Sequence, residues 1–186
     1  GGSHLPDVNV VTPAFADGRL LGFACIRAHW PDVGSATPGS YGAVTEIFGE
    51  GLRLPPVRLY SGGELVREVD DIIFANVRTP DERRGDLRAQ VAANRRAVAR
   101  LEVLAGRYGA ERLARIMQGV MDYSESMMRQ ALAALPDGEG SFEDICDGDG
   151  IIEPGDNDDR TFTIRMRAVK SGDQLVVDFA GTDPAV

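Results

Sequence analysis

The feature that most constrains the fold is a pentapeptide that occurs twice, as His4-Leu5-Pro6-Asp7-Val8 and as His29-Trp30-Pro31-Asp32-Val33. A proline fixes its own φ angle, has no backbone N–H to donate, and disfavours helical geometry in the residue before it. Each copy is therefore predicted to be an extended or turn segment outside any helix interior. The two copies contain both histidines of the chain.

The residues between the two copies predict a β-hairpin. Residues 8–15 and 20–28 are rich in β-branched and aromatic side chains, which is typical of strands. Asp17-Gly18 lies between them, and this dipeptide accepts the positive φ angles of a two-residue hairpin turn. In an antiparallel pair, the start of the first strand and the end of the second lie at the same end of the hairpin. Both histidine pentapeptides are therefore expected at that end.

Two imidazoles that converge with one or two carboxylates indicate a metal site. Two histidines and one carboxylate form a mononuclear site that suits zinc, manganese or ferrous iron and leaves positions open for water or substrate. The alternative is that each aspartate only closes its own turn through local backbone hydrogen bonds, with the histidine packed beside it. The pattern favours metal binding or catalysis, because both histidines share it.

Two helices are predicted in the middle of the chain. Thr79-Pro80-Asp81-Glu82 is typical of a helix start, because threonine can cap the helix, proline suits its first position, and glutamate completes a capping box. Apolar side chains recur at helical spacing over residues 87–105 and again over residues 113–135. The short connection between the two stretches, which contains glycines at 106 and 109, predicts an antiparallel helical hairpin.

The last third of the chain combines an acidic segment with a second predicted β-hairpin. Residues 137–159 contain many acidic side chains and glycines but no basic residue, which favours a solvated loop. Residues 161–168 alternate apolar and polar side chains, and Ser171-Gly172-Asp173 predicts a turn into a strand at residues 175–179. The predicted fold class is therefore α+β, with antiparallel β-hairpins flanking a long helical hairpin.

Composition excludes several classes of function. The formal charge of -9 and the pI near 4.7 oppose binding to the phosphate backbone of nucleic acids. No GxxxxGK(S/T) segment occurs, so the chain has no P-loop for ATP. The apolar runs are shorter than the roughly 20 residues of a membrane helix, and no secretory signal opens the chain. These features predict a cytoplasmic protein without membrane partners.

Several segments together resemble the hydantoinase B/oxoprolinase family. In chain order they are GGSHLPDV, AHWPDVG, TPGSYG, EGLRLPPVRLY, NVRTPDERRGDLRAQVAAN, RYG, LPDG and VDFAGTDP. The resemblance implies that residues 1–186 are a segment of one larger domain, truncated at both ends. Members of this family are similar to the B-type component of ATP-dependent N-methylhydantoinases, the second half of 5-oxoprolinase, and subunits of acetone and acetophenone carboxylases.

The resemblance also implies a function and a set of site residues. It implies a hydrolase that opens cyclic amides of the hydantoin or 5-oxoproline type, in a hetero-oligomer with a hydantoinase A-type subunit that binds ATP. It implies a divalent metal site (Mn, Zn or Fe) formed by His4, Asp7 and His29, and these residues together with Asp32 are the predicted catalytic groups. Two other functions stay open: a subunit of an ATP-dependent carboxylase whose substrate is a ketone, and an assembly module without chemistry of its own.

Overall fold

The first predicted hairpin is present in the computed structural model and is slightly longer than expected. Strand β1 is Asp7–Ala16, strand β2 is Arg19–His29, and the two strands pair antiparallel. Asp17 and Gly18 close the hairpin with φ angles of 51° and 72°, and two-residue type I′ turns require positive φ at both of these positions. The two histidine pentapeptides therefore lie at the same end of the hairpin, as predicted.

The structure describes residues 4–40, 42, 44, 46–147 and 161–184. The chain divides into two compact units, unit 1 (Gly1–Ala114) and unit 2 (Arg115–Val186). Within the described residues, no helix combines the length and the apolar character needed to cross a membrane.

Unit 1 is built around the hairpin and one long helix. Helix α1 is Arg67–Ala75 and helix α2 is Pro80–Tyr108. Two short antiparallel strands, β3 (Tyr60–Ser61) and β4 (Glu64–Leu65), come just before α1, and a 3-10 turn, Ile47–Glu50, lies further upstream. Helix α2 packs on the β1–β2 hairpin and against α1. The core of the unit consists of Trp30, Val33, Ile73, Phe74, Val77, Leu87 and Val91.

A line of polar contacts fixes α2 along the hairpin, and the apolar pattern of the helix did not predict it. Nε1 of Trp30 donates to Oε1 of Gln90 at 3.0 Å, and Nε2 of Gln90 donates to the carbonyl of Val8 at 3.0 Å. One turn later, Nδ2 of Asn94 donates to the carbonyl of Val10 at 2.9 Å. Gln90 and Asn94 are each 2% exposed, so water does not compete for these bonds. They hold the hairpin in one register against the helix.

Helix α2 begins at Pro80, as predicted, but without the predicted capping box. The side chain of Thr79 makes no capping hydrogen bond. The backbone carbonyl of Thr79 instead accepts the first helical hydrogen bond, from the N–H of Arg83 at 3.1 Å. The predicted helix end is confirmed, since Gly109 follows the last helical residue with a φ of 84°.

Unit 2 contains most of helix α3, Ala110–Ala133, and a three-stranded antiparallel sheet. The strands are β5 (Gly138–Cys146), β6 (Phe162–Ser171) and β7 (Gln174–Asp178), and their spatial order is β5-β6-β7. The second predicted hairpin is confirmed by the pairing of β6 with β7, with Gly172 in its turn at a φ of 59°.

Strand β5 contradicts the prediction that residues 137–159 form a solvated loop. Its glutamates pair with arginines of β6: Glu139 with Arg167 at 2.8 Å and Glu143 with Arg165 at 3.3 Å. Opposite charges on neighbouring strands stabilise the pairing, so an acidic segment can form a strand where its partner strand is basic. The rest of the predicted loop, from residue 148 onward, lies outside the described residues.

The α+β class is confirmed, since helices and antiparallel sheets occupy separate stretches of the chain. Only Gly109 separates α2 from α3. The boundary between the units falls inside α3, and the predicted antiparallel packing of the two helices stays a prediction. The assignment of residues 1–186 to one segment of a single domain also stays a prediction.

Candidate metal centre

Three of the four predicted site residues meet at the open end of the β1–β2 hairpin. Asp7 is the first residue of β1, His29 is the last residue of β2, and the antiparallel register pairs them directly. His4 lies one turn earlier, where its carbonyl accepts a hydrogen bond from the Asp7 N–H at 3.2 Å. The N–H of Trp30 donates to the carbonyl of Pro6 at 2.8 Å, which ties this turn to the end of β2. The local backbone thus brings the three side chains together.

The candidate ligand atoms of these residues are close enough to share one ion. Nε2 of His4 lies 3.0 Å from Nδ1 of His29 and 3.2 Å from Oδ1 of Asp7, and Nδ1 of His29 lies 3.6 Å from the same oxygen. A metal ion about 2.1 Å from each ligand atom separates neighbouring ligand atoms by about 3.0 Å in octahedral and about 3.4 Å in tetrahedral geometry. The observed distances span these values, so the arrangement fits a divalent ion.

The chemistry of the donor set also fits an ion. The three atoms contact one another mutually, and each imidazole nitrogen carries at most one hydrogen. If both nitrogens are protonated, the contact between His4 and His29 at 3.0 Å brings two donors together. If only one is protonated, its single hydrogen is divided between the other imidazole and the carboxylate, which weakens both contacts. A cation at the centre accepts a lone pair from all three atoms at once, which removes this conflict.

One side of the cluster is open. The side chains of His4 and His29 are each 40% exposed, whereas that of Asp7 is 15% exposed. Three protein ligands leave at least one position for water or substrate, which is the arrangement of catalytic zinc sites and not of structural ones. Within the described part of the chain, this is the one group of histidine, cysteine or acidic side chains with metal-binding spacing.

The fourth predicted residue, Asp32, lies outside the cluster. Its carboxylate accepts hydrogen bonds from the N–H of Gly34 at 2.8 Å, the N–H of Gly39 at 3.0 Å and Nη1 of Arg78 at 2.8 Å. Burial of Asp32, which is 6% exposed, raises its pKa, but the Gly39 N–H, the Arg78 guanidinium and the Gly34 N–H outweigh burial and lower the pKa below its usual value. Asp32 is therefore the ionised anchor of the loop that follows β2.

The loop that follows β2 is tightly packed. Nη2 of Arg78 donates to the carbonyl of Ser35 at 2.7 Å, which joins the loop to the junction between α1 and α2. Gly34 has a φ of 82°, and a Cβ atom at this position would lie 1.9 Å from the carbonyl oxygen of Asn76. Only glycine fits such a close approach. The loop that follows the candidate metal centre therefore contacts Asn76 and Arg78, which lie far from it in the sequence of unit 1.

Two polar residues beside the cluster were not among the predicted site residues. Asn9 and Arg27 form the cross-strand pair two positions along from Asp7 and His29. Residues two apart on a strand lie on the same face of the sheet. The two-residue period of a strand was therefore a signal in the sequence that could have identified Asn9 and Arg27, since it places them on the same face as Asp7 and His29.

Comparison with known proteins identifies relatives of the chain. The family model described as hydantoinase B/oxoprolinase matches residues 1–186. The chain is 37% identical to a protein of Pseudomonas sp. strain NS671 that is named as the B-type component of a D-/L-hydantoinase, over 100% of this chain and 31% of that protein. It is 32% identical to the beta chain of caprolactamase from Pseudomonas jessenii, over 80% of this chain and 26% of that protein. It is 27% identical to the acetophenone carboxylase delta subunit of Aromatoleum aromaticum, over 99% of this chain and 26% of that protein.

Two solved structures share the fold. The crystal structure of ATP-dependent caprolactamase from Pseudomonas jessenii matches with a TM-score of 0.83 and 29% identity, over 95% of this chain and 30% of that chain. The nucleotide-free structure of acetone carboxylase matches with a TM-score of 0.83 and 20% identity, over 98% of this chain and 25% of that chain; this likeness concerns the fold alone. The chain spans less than a third of the length of each of these relatives.

Proposed function

The chain belongs to the hydantoinase B/oxoprolinase family, and we propose that it is part of the metal-bearing subunit of an ATP-dependent cyclic-amide hydrolase. The proposed reaction opens a ring of the hydantoin or 5-oxoproline type by cleaving a C–N bond. The observation that carries the proposal is the cluster of His4, Asp7 and His29, whose ligand atoms fit one divalent ion. The names of the hydantoinase and caprolactamase relatives support cyclic amides as the substrate class.

Each residue of the cluster has a defined task in this proposal. Nε2 of His4, Nδ1 of His29 and Oδ1 of Asp7 would hold manganese, zinc or ferrous iron. When bound, such an ion polarises a carbonyl group or lowers the pKa of a water molecule, and amide cleavage needs one or both of these effects. The exposed sides of the two imidazoles leave room for the substrate. Asp32 holds the neighbouring loop in place and is a positioning residue.

ATP is assigned to a partner subunit of the hydantoinase A type. The chain contains no P-loop, and its single lysine, Lys170, donates to the carbonyl of Leu135 at 2.5 Å and to Asp137 at 2.7 Å. Lys170 is therefore engaged in holding the end of α3 to β6. The hydantoinase and caprolactamase relatives are both named as single components of larger enzymes, which supports a complex of several subunits. Because such an enzyme consumes ATP, the predicted cytoplasmic location is part of the proposal.

A ketone carboxylase is the second candidate function. The likeness to the acetophenone carboxylase delta subunit, over 99% of this chain, favours it specifically. The same three ligands would serve either reaction, so bicarbonate dependence of turnover distinguishes the carboxylase from the hydrolase. The third candidate, an assembly module without chemistry, predicts no bound metal.

The test uses the full-length polypeptide that contains this chain, purified with its partner subunit. We expect about one manganese, zinc or iron ion per polypeptide by elemental analysis, and ring opening of hydantoin or 5-oxoproline only when ATP is added. His4→Ala and His29→Ala should each remove the metal and the activity. Asp17→Asn, at the far end of the same hairpin, should change neither. A metal-free wild type whose turnover survives both histidine substitutions would contradict the proposal.

A further inference from the structure

The residues next to the candidate metal centre form a second polar layer on the same face of the hairpin. The antiparallel register pairs Asp7 with His29 and, two positions along, Asn9 with Arg27. Alternate residues of a strand share a face, so all four side chains lie on one side of the hairpin. Asn9 and Arg27 are exposed, which leaves this side accessible from solvent.

Asn9 and Arg27 are connected to Asp7 by several contacts. Nε of Arg27 donates to Oδ1 of Asn9 at 3.3 Å, and Nδ2 of Asn9 donates to the backbone carbonyl of Asp7 at 3.0 Å. Nη1 of Arg27 lies 3.7 Å from Oδ2 of Asp7. This last distance is that of an ion pair and exceeds a direct hydrogen bond, so the attraction is mainly electrostatic.

The two carboxylate oxygens of Asp7 therefore face different partners. Oδ1 lies 3.2 Å from Nε2 of His4 and 3.6 Å from Nδ1 of His29, whereas Oδ2 lies toward Arg27. A carboxylate without a second partner can rotate about its Cβ–Cγ bond and present either oxygen, or both, to an ion. The guanidinium opposes that rotation because it attracts one oxygen away from the histidines.

We propose that Arg27, held by Asn9, is a positioning residue that makes Asp7 bind the metal through Oδ1 alone. This inference rests on the proposed function, since it assumes that the cluster binds a divalent ion. Partners that orient a metal ligand typically contribute about 10-fold to 100-fold in metal affinity. The positive charge of Arg27 acts in the opposite sense, because it repels the ion. Its side chain is 52% exposed, so solvent screens both the repulsion of the ion and the attraction to the carboxylate. Nη1 lies 3.7 Å from Oδ2, and the ion would lie on the Oδ1 side, so the attraction acts over the shorter distance and orientation is the larger effect.

The direction of the change in metal affinity tests the inference. In the full-length polypeptide stripped of metal, Arg27→Gln should raise the Kd for Mn²⁺ by about 10-fold, measured by calorimetric titration. Arg27→Lys, which returns the positive charge, should recover part of that loss. The matched control is Arg19→Gln, since Arg19 lies on the same strand at the other end of the hairpin and pairs with Glu111 at 3.0 Å. This control should bind Mn²⁺ like the wild type.

Thermal melting of the metal-free proteins separates positioning from a general loss of structure, and the melting temperature of Arg27→Gln should equal that of Arg19→Gln. An unchanged or lower Kd in Arg27→Gln, or no recovery in Arg27→Lys, would overturn the inference while leaving the metal site intact. Failure of the proposed function looks different: the wild type would not bind Mn²⁺, and Asp7→Asn would then change nothing.

Discussion

The pentapeptides at residues 4–8 and 29–33 have His, Pro, Asp and Val at the same positions, but their aspartates occupy different environments. Asp7 contacts both histidines and lies beside solvent, with its side chain 15% exposed. Asp32 is buried and contacts two backbone N–H groups and one arginine. Asp7 belongs to the proposed metal centre, and Asp32 holds a loop.

The direction of the chain explains this difference. The first pentapeptide runs into β1, so Asp7 lies inside the hairpin, directly opposite His29. The second pentapeptide runs out of β2, so Asp32 follows the last paired residue and belongs to the loop. The same three-position spacing between His and Asp therefore places Asp7 in the candidate metal centre and Asp32 outside it. A repeated motif on two antiparallel strands need not give a symmetric site.

The largest expected effects come from the same substitution made in each pentapeptide. Asp7→Asn should weaken Mn²⁺ binding by more than about 100-fold, because even loss of an outer partner costs about 10-fold to 100-fold. It should change the stability of the metal-free protein by less than about 1 kcal/mol. Asp32→Asn should leave the Kd for Mn²⁺ within about 3-fold of wild type. It should reduce the free energy of unfolding by about 2 kcal/mol, because the buried carboxylate loses its charge-assisted hydrogen bonds, whereas Arg78, which is 41% exposed, stays hydrated.

Metal titration and urea unfolding of the full-length polypeptide measure both quantities. If Asp32→Asn abolished metal binding without a loss of stability, the two aspartates would have equivalent roles and the comparison would fail.

The sequence predicted the convergence of His4 and His29 because the signals were local. An Asp-Gly turn and two strands of similar length determine which residues meet at the open end. The fate of Asp32 was not predictable in that way, since Arg78 reaches it from 46 positions away and no periodic pattern connects them. Burial of a carboxylate depends on such distant partners, which a single sequence does not reveal.

Two other predictions also differ from the structure. The Thr79 side chain matches a capping box by type, but the backbone before Pro80 has φ -120° and ψ 66° and the side chain forms no cap. Strand β5 was predicted as a loop from its own acidic composition, although the arginines that pair with it lie about 20 to 30 positions later, on β6. In both cases the residue types are compatible with more than one structure. At Thr79 the local backbone conformation differs from that of a capping box, and at β5 partners outside the local segment determine the structure.

The pH dependence of the free energy of unfolding tests the role of Asp32 in the second pentapeptide. The pKa of Asp32 is lowered from 3.8, since two backbone N–H groups and Arg78 outweigh the effect of burial. A group with a lower pKa in the folded state stabilises the protein above its unfolded pKa, and this stabilisation disappears as the pH falls through the folded pKa. The stability gap between wild type and Asp32→Asn should thus be constant above about pH 5 and narrow below about pH 4.

The measurement is urea unfolding from about pH 6 to about pH 2.5, with a chelator present so that metal release does not contribute. The Asp17→Asn variant, changed in an exposed turn, controls for the general effect of removing a carboxylate. If the stability gap between wild type and Asp32→Asn stayed constant down to the lowest pH, the contacts of Asp32 would not favour its ionised form.

The smallest expected effects come from the two prolines, and they compare the backbones of the pentapeptides. Pro6 is buried, and its carbonyl accepts hydrogen bonds from the N–H groups of Val8 at 2.9 Å and Trp30 at 2.8 Å, whereas Pro31 is exposed.

Pro31→Ala should cost about 0.4 to 1 kcal/mol, because it only increases the freedom of the unfolded chain. Pro6→Ala keeps the carbonyl but also loses buried ring atoms, so it should cost about 1 kcal/mol more. Because Pro6 lies between two of the proposed metal ligands, its replacement should also raise the Kd for Mn²⁺ by a few-fold, while Pro31→Ala leaves it unchanged. Urea unfolding and metal titration of both variants measure these effects. A larger effect of Pro31→Ala than of Pro6→Ala on stability and on the Kd would show that the second turn, and not the first, fixes the geometry of the site.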